Sequence, residues 1–142
     1  GGPNGNNIYR SMTWTYENKP LEEIPEGTIG FVYEILNQSN GRRYIGKKLF
    51  YFSKTKQVKG KKKRTKVESD WRNYHGSNKE LQEHVELFGK EKFERRILHL
   101  CRTKGEASYL EAKEILTRDA IPSAEYYNEW LSLKVSRSHL PK

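Results

Sequence analysis

Residues 29–48 read IGFVYEILNQSNGRRYIGKK, and the fold turns on how they are read. Ile29 to Leu36 is short, β-branched and aromatic, the pattern of a buried strand. Asn40-Gly41 marks a turn, because both residue types tolerate positive φ. Arg42 to Lys48 then reads as the antiparallel partner strand. The hairpin sets Tyr33 and Tyr44 on neighbouring strands, with their rings in reach of each other. Such a pair is ordinarily cross-strand packing. Lys47 and Lys48 follow at once, and their charge is expected to depress a phenol's pKa. That matters because a phenol at ~10 is a poor base at neutral pH.

Outward from the hairpin the chain turns strongly basic. The formal net charge is +9, yet Arg42 to Arg72 alone holds 13 basic residues against Glu68 and Asp70. The excess is therefore local, the footprint of a surface for a phosphate backbone. Its bland alternative is a solvated loop. Residues 51–69 read as a basic insertion, a mobile hairpin or loop around Gly60. Lys48, Lys54, Lys56, Lys59, Lys61, Lys62, Lys63, Arg64 and Lys66 are its candidate DNA contacts. Uncompensated lysines there repel one another until an anion arrives.

Trp71 to Gly76 mixes charge with aromatics. Arg72 is a candidate phosphate fork and His75 a candidate proton shuttle or phosphate ligand, or both are simply solvated. Ser77-Asn78-Lys79-Glu80 has the pattern of a capping box opening a helix with Leu81, Val85 and Phe88 on one face. Gly89 ends it. Phe93 to Leu100 reads as a third strand, and residues 106–119 as a long helix stopped by Pro122. At 100° per residue, Glu111 and Glu114 both fall inside the apolar arc of Ala107, Leu110 and Ile115. A carboxylate there meets a Lys or Arg at the rim, or holds a cation. Mg²⁺ needs only one or two protein oxygens, so a single such carboxylate suffices. Ser123 opens a last turn before Tyr126, Tyr127, Asn128 and Trp130.

The order strand, strand, helix, strand, helix predicts an α+β domain, a small antiparallel three-stranded sheet flanked by helices. With 142 residues there is room for one domain, taken as 12–142, with 1–11 an expression remnant or linker. The 12% aromatic content argues against a disordered chain despite 34% hydrophobic and 32% charged residues. The single Cys101 excludes an internal disulfide framework and a cysteine-cluster zinc site, and a reducing compartment is expected. His84 and His99 lack metal-ligand spacing with a partner. No apolar run approaches the ~20 residues that span a bilayer, so no membrane partner is expected.

Gly30-Phe31-Val32-Tyr33 followed by Tyr44-Ile45-Gly46 resembles the paired motif of the GIY-YIG nuclease superfamily. The first element is displaced, with its glycine one step early; the second matches as written. Lys47 after the glycine, Glu111 on a helix and the late Asn128 resemble that family's further site residues. Trp-Arg-x-Tyr-x-Gly-Ser at 71–77 resembles phage-encoded members. The resemblance spans Gly30 to Asn128. It departs in one respect: the family's arginine, a dozen residues after the second tyrosine, falls in the basic insertion, with Arg72 as substitute and Arg64 as rival.

The resemblance implies phosphodiester hydrolysis by a divalent-metal-dependent DNA endonuclease, homing-like or restriction-like, in the cytoplasm of a bacterial or phage-infected cell. Tyr33 would act as base or orient the attacking water, and Tyr44 would assist. Glu111 would bind Mg²⁺ or Mn²⁺. Arg72 with Lys47 would stabilise the charge of the transition state, while Asn128 would brace the site or bind phosphate. Duplex DNA is the implied partner, with a homodimer on DNA as one way to cut both strands. The alternative is a binding module that keeps the fold without the chemistry.

Overall fold

The computed structural model describes residues 13–120 and 123–129. The chain is α+β. A five-stranded sheet has the order β2-β1-β7-β3-β4, and a separate two-stranded sheet is formed by β5 and β6. The strands are β1 (Thr15–Tyr16), β2 (Lys19–Pro20), β3 (Gly30–Asn37), β4 (Arg43–Leu49), β5 (Tyr51–Val58), β6 (Lys61–Glu68) and β7 (Phe93–Cys101). The helices are α1 (Lys79–Phe88) and α2 (Lys104–Thr117).

The central hairpin forms as read, with Tyr33 opposite Gly46 and Ile35 opposite Tyr44. β3 is covered on both faces, which is why its sequence is a continuous apolar run rather than an alternation. One face packs Phe31, Tyr33 and Ile35 against Trp14, Phe50, Trp71 and Leu81. The other packs Val32, with Ile45 of β4, against Ala107 and Ile115 of α2. Glu34 is buried on the latter face and is neutralised by Arg43 at 2.8 Å and by Arg118. Glu114, one of the two carboxylates in the apolar arc, pairs with His99 and Arg118 at the rim.

The sheet is larger than the three strands expected. β1 and β2 are two residues each, too short for a visible alternation, and β1 joins parallel to β7. Helix α1 is capped one residue later than the capping-box pattern suggests. Asn78 accepts from Leu81 N at 2.9 Å, while Ser77 is released for another partner and Glu80 pairs with Arg42. Helix α2 starts earlier than expected because the Thr103 hydroxyl accepts from Glu106 N. Ser123 makes the anticipated turn, its hydroxyl accepting from Glu125 N at 3.1 Å. Residues 1–11, Pro122 and Trp130 lie outside the described residues.

The basic insertion is a regular hairpin turning at Lys59-Gly60, where φ is 50° and 76°. It leaves the domain at a clamped base. Phe50 N donates to Ile29 O, Ser69 N to Phe50 O, and the Ser69 hydroxyl to Leu49 O. Beyond that base every residue from Phe52 to Glu68 is exposed.

Candidate active site

β4 is the edge strand of the sheet, so half its backbone lacks a strand partner. Its first half is covered by the chain returning past α2. Arg43 N donates to Glu125 O, and Tyr127 N donates to Arg43 O. Asn128 completes the cover with its side chain. Its Oδ1 accepts from Ile45 N at 2.9 Å, and its Nδ2 donates to Ile45 O at 2.8 Å. The amide stands in for a peptide unit of the missing neighbour strand, and it is buried. Among the described residues, no backbone partner lies along the outer edge from Gly46 to Lys48.

Tyr33 exploits that opening. Its ring lies across Gly46, where an added Cβ would clash with the Tyr33 hydroxyl and sit 2.6 Å from Cζ. Only glycine lets the phenol reach the edge. The β3–β7 register also slips between Val32 and Tyr33, a local irregularity of the kind that re-aims side chains beside functional sites. Tyr44 lies 6.1 Å from Tyr33, ring to ring, and its hydroxyl shares a hydrogen bond with Ser77 Oγ at 3.2 Å. Tyr74 packs edge-on to Tyr33 at 6.0 Å.

Glu111 comes to the same place from α2. Its charge acts on both phenols, raising the pKa of each. One turn earlier on that helix, Ser108 accepts a hydrogen bond from Lys47 Nζ at 2.7 Å. Tyr33 and Tyr44 thus lie side by side with the charge of Glu111 acting on both and that of Glu129 on Tyr44, while Ser108 holds Lys47 on the α2 side of the strand.

The electrostatics run against the sequence expectation. Burial holds the Tyr33 hydroxyl well above the usual phenol range, reinforced by Tyr44, Tyr74 and Glu111. Burial raises Tyr44 too, partly offset by Ser77. The adjacent lysines do not depress either group. Lys47 reaches Ser108, and Lys48 reaches Asp70 at 2.6 Å while lying over Tyr74. The strand's alternation turns Lys47 to the opposite face from Tyr44, and Lys48, on the same face, is engaged by Asp70.

Two candidates lie apart from this group. Arg72 pairs with Glu68 at 3.0 Å, stacks over Trp71, and donates to Glu22 O, just past the strand at the far edge of the sheet. His75 donates from Nδ1 to Asn73 O at 2.9 Å, which fixes its tautomer. Its Nε2 is buried with no hydrogen-bond partner among the described residues. Burial, with Arg95 close by, pushes its pKa down to about 4, so the ring is neutral at pH 7. Tyr74, Ser77 and Ser108 are site neighbours that the sequence did not single out as such. The aromatic run at 71–74 was the one available signal for Tyr74, and Ser77 was hidden behind its resemblance to a helix cap.

The donor set suits a hard divalent ion. Among the described residues no three His, Cys, Asp or Glu converge, so an all-protein cage is absent there. One carboxylate beside polar hydroxyls at an open edge fits Mg²⁺ or Mn²⁺, which take few protein ligands and leave room for water and phosphate oxygens.

Residues 14–131 match the family described as "Putative endonuclease segE, GIY-YIG domain". The protein of that name from Enterobacteria phage T4 is 36% identical over 98 residues, 69% of this chain and 39% of its own length. The chain therefore spans about two fifths of the curated relative it matches. No solved structure matches it. No helix among the described residues is long and apolar enough to cross a membrane. The match runs from Trp14 in the core to the segment beyond Asn128, taking in both tyrosines and Glu111, and the chain belongs to the segE group of GIY-YIG endonucleases.

Proposed function

We propose that this chain is a divalent-metal-dependent endonuclease that hydrolyses phosphodiester bonds in duplex DNA. What supports the reading most is the pair Tyr33 and Tyr44, 6.1 Å apart ring to ring, with the charge of Glu111 acting on both. Glu111 would hold Mg²⁺ or Mn²⁺, whose chemistry is to polarise the scissile phosphate and favour the attacking water. Tyr33, kept neutral by burial, orients that water rather than deprotonating it in the resting protein. The water oxygen bonds to phosphorus, the bond to the leaving oxygen breaks, and a proton ends on that oxygen.

Tyr44, held by Ser77, fixes the position of Tyr33 and hydrogen-bonds the phosphate. Lys47, held against Ser108, meets the negative charge that grows on the phosphate oxygens. Asn128 braces the edge, since its amide is engaged with Ile45. Arg72 and His75 are given no chemical role, because their polar groups serve other partners or lie buried. The basic hairpin supplies affinity of the salt-sensitive kind. The phage relative supports a phage or mobile-element setting, homing-like or restriction-like.

Digestion of supercoiled plasmid tests the reading. Nicking or linearisation is expected with Mg²⁺ or Mn²⁺, none with EDTA, and Glu111→Ala should slow it about 10²–10³-fold while leaving a folded, DNA-binding protein. A salt-sensitive gel shift with no cleavage under any metal would favour the binding-module alternative.

A further inference from the structure

The two faces of the β5–β6 hairpin are not equivalent. Side chains alternate along each strand, and the register fixes which residues share a face. One face carries Phe52, Lys54, Lys56, Lys61 and Lys63, with Val58 and Val67 between them. The other carries Ser53, Thr55 and Gln57 with Lys62, Arg64 and Lys66. Net charge already favours the first, with four lysines against three cations and the Glu68 carboxylate.

We propose that the Phe52 face is the track on which duplex DNA lies beside the cut, and that the Arg64 face stays in solvent. The proposal rests on the nuclease reading above. Three observations choose the face. The exposed large apolar side chains of the hairpin, Phe52 at 45%, Val58 at 43% and Val67 at 39%, all fall on it. The opposite face offers hydroxyls, an amide, cations and the Glu68 carboxylate, with half-buried Tyr51 at its base. Apolar groups set among lysines suit a duplex, whose sugars and thymine methyls meet the former while phosphates meet the latter.

Lys56 also stands directly opposite Lys63, an unfavourable pair in water that a phosphate chain relieves. Finally, this face is continuous with the active site. Tyr33 touches Tyr74, and Lys48 Nζ lies 4.0 Å from the Tyr74 ring centre and 5.0 Å from that of Phe52. A cavity of about 340 Å³ opens beside Phe52, lined also by Lys47, Lys104 and Ser108. A backbone leaving the reacting phosphate meets those cations first and the hairpin lysines next. At ~3.3 Å per residue, eight residues reach roughly 26 Å, or about eight base pairs to one side of the cut.

Two multiple variants decide between the faces. One is K54Q/K56Q/K61Q/K63Q, and the other is K62Q/R64Q/K66Q. Each is checked for an unchanged melting curve, then titrated with a 40-base-pair duplex in EDTA across a salt series. The first should weaken binding and lower the slope of log K against log salt by about 3–4, at ~0.9 per lost phosphate contact. The second should change the slope by less than about 1. Hydroxyl-radical footprints should retract on one side of the cut in the first variant alone. Equal slopes for both variants, or a larger loss in the second, would overturn the assignment. A wild-type chain that binds no duplex at low salt would overturn the nuclease reading on which it rests.

Discussion

Two hairpins follow one another in this chain and meet opposite fates. In β3–β4 the strand Gly30–Asn37 is covered on both faces, and its register is locked by apolar side chains and by Arg43 on buried Glu34. In β5–β6 nearly every residue is exposed, and lysines face one another across the strands. The first hairpin can hold reacting groups to fractions of an ångström because nothing around it can move. The second cannot, since a two-stranded ribbon alone is marginal, but it can reach for a long polyanion. The difference separates chemistry from capture, and the junction at Phe50 and Ser69 is where one becomes the other.

The comparison breaks most severely at Gly46. In Gly46→Ala the new methyl has no room beside the Tyr33 ring, which is itself buried at 1% exposure. Overpacking of roughly 3 kcal/mol is expected, with cleavage lost altogether. Thermal melts and plasmid digestion read both, and unchanged activity would mean that Tyr33 is not held at the edge. Asn128→Ala comes next. Ile45 loses both side-chain partners, for a cost of about 2 kcal/mol and a partial loss of cleavage, while DNA affinity stays as in wild type.

The smallest effect concerns His75, in the segment that joins the second hairpin back to the core. Its folded pKa of about 4 lies below the ordinary 6.5. Between those values the unfolded chain takes up a proton that the folded chain refuses. The ring's contribution to stability is therefore complete above about pH 6.5 and lost as pH falls towards 4. His75→Gln should flatten the melting temperature across that window. An identical pH profile in the two proteins would show that the ring is not buried as described.

How far the sequence told this in advance differs between the same two regions. The strands of the first hairpin are legible almost to the residue, because an apolar run broken by Asn-Gly has few other uses. The apolar arc of α2 marks Glu111 and Glu114 alike, and only the resemblance to the nuclease family separates them. The phenol pKa values are not legible, since burial of the two rings sets their direction and the sequence showed only the neighbouring lysines. Asn128 carries no local mark of bridging a bare strand edge. Arg72 sits at the right place in the chain, yet the packing of Trp71 turns it toward Glu22. The insertion is legible as basic but not as a ribbon with an apolar face, because Phe52, Val58 and Val67 align only once the register is known.

The central claim is that the two hairpins divide the work, and excision tests it most directly. Phe50 and Ser69 already hydrogen-bond at 2.8 Å, so residues 51–68 can be replaced by a short glycine turn. Duplex affinity and the single-turnover cleavage rate at saturating protein are then measured for this variant and for Glu111→Ala. The account predicts at least a tenfold loss of affinity with the saturated rate kept within a few-fold in the first, and the reverse in the second. A folded, excised chain that binds DNA like wild type, or that cleaves as poorly as Glu111→Ala when saturated, would contradict it.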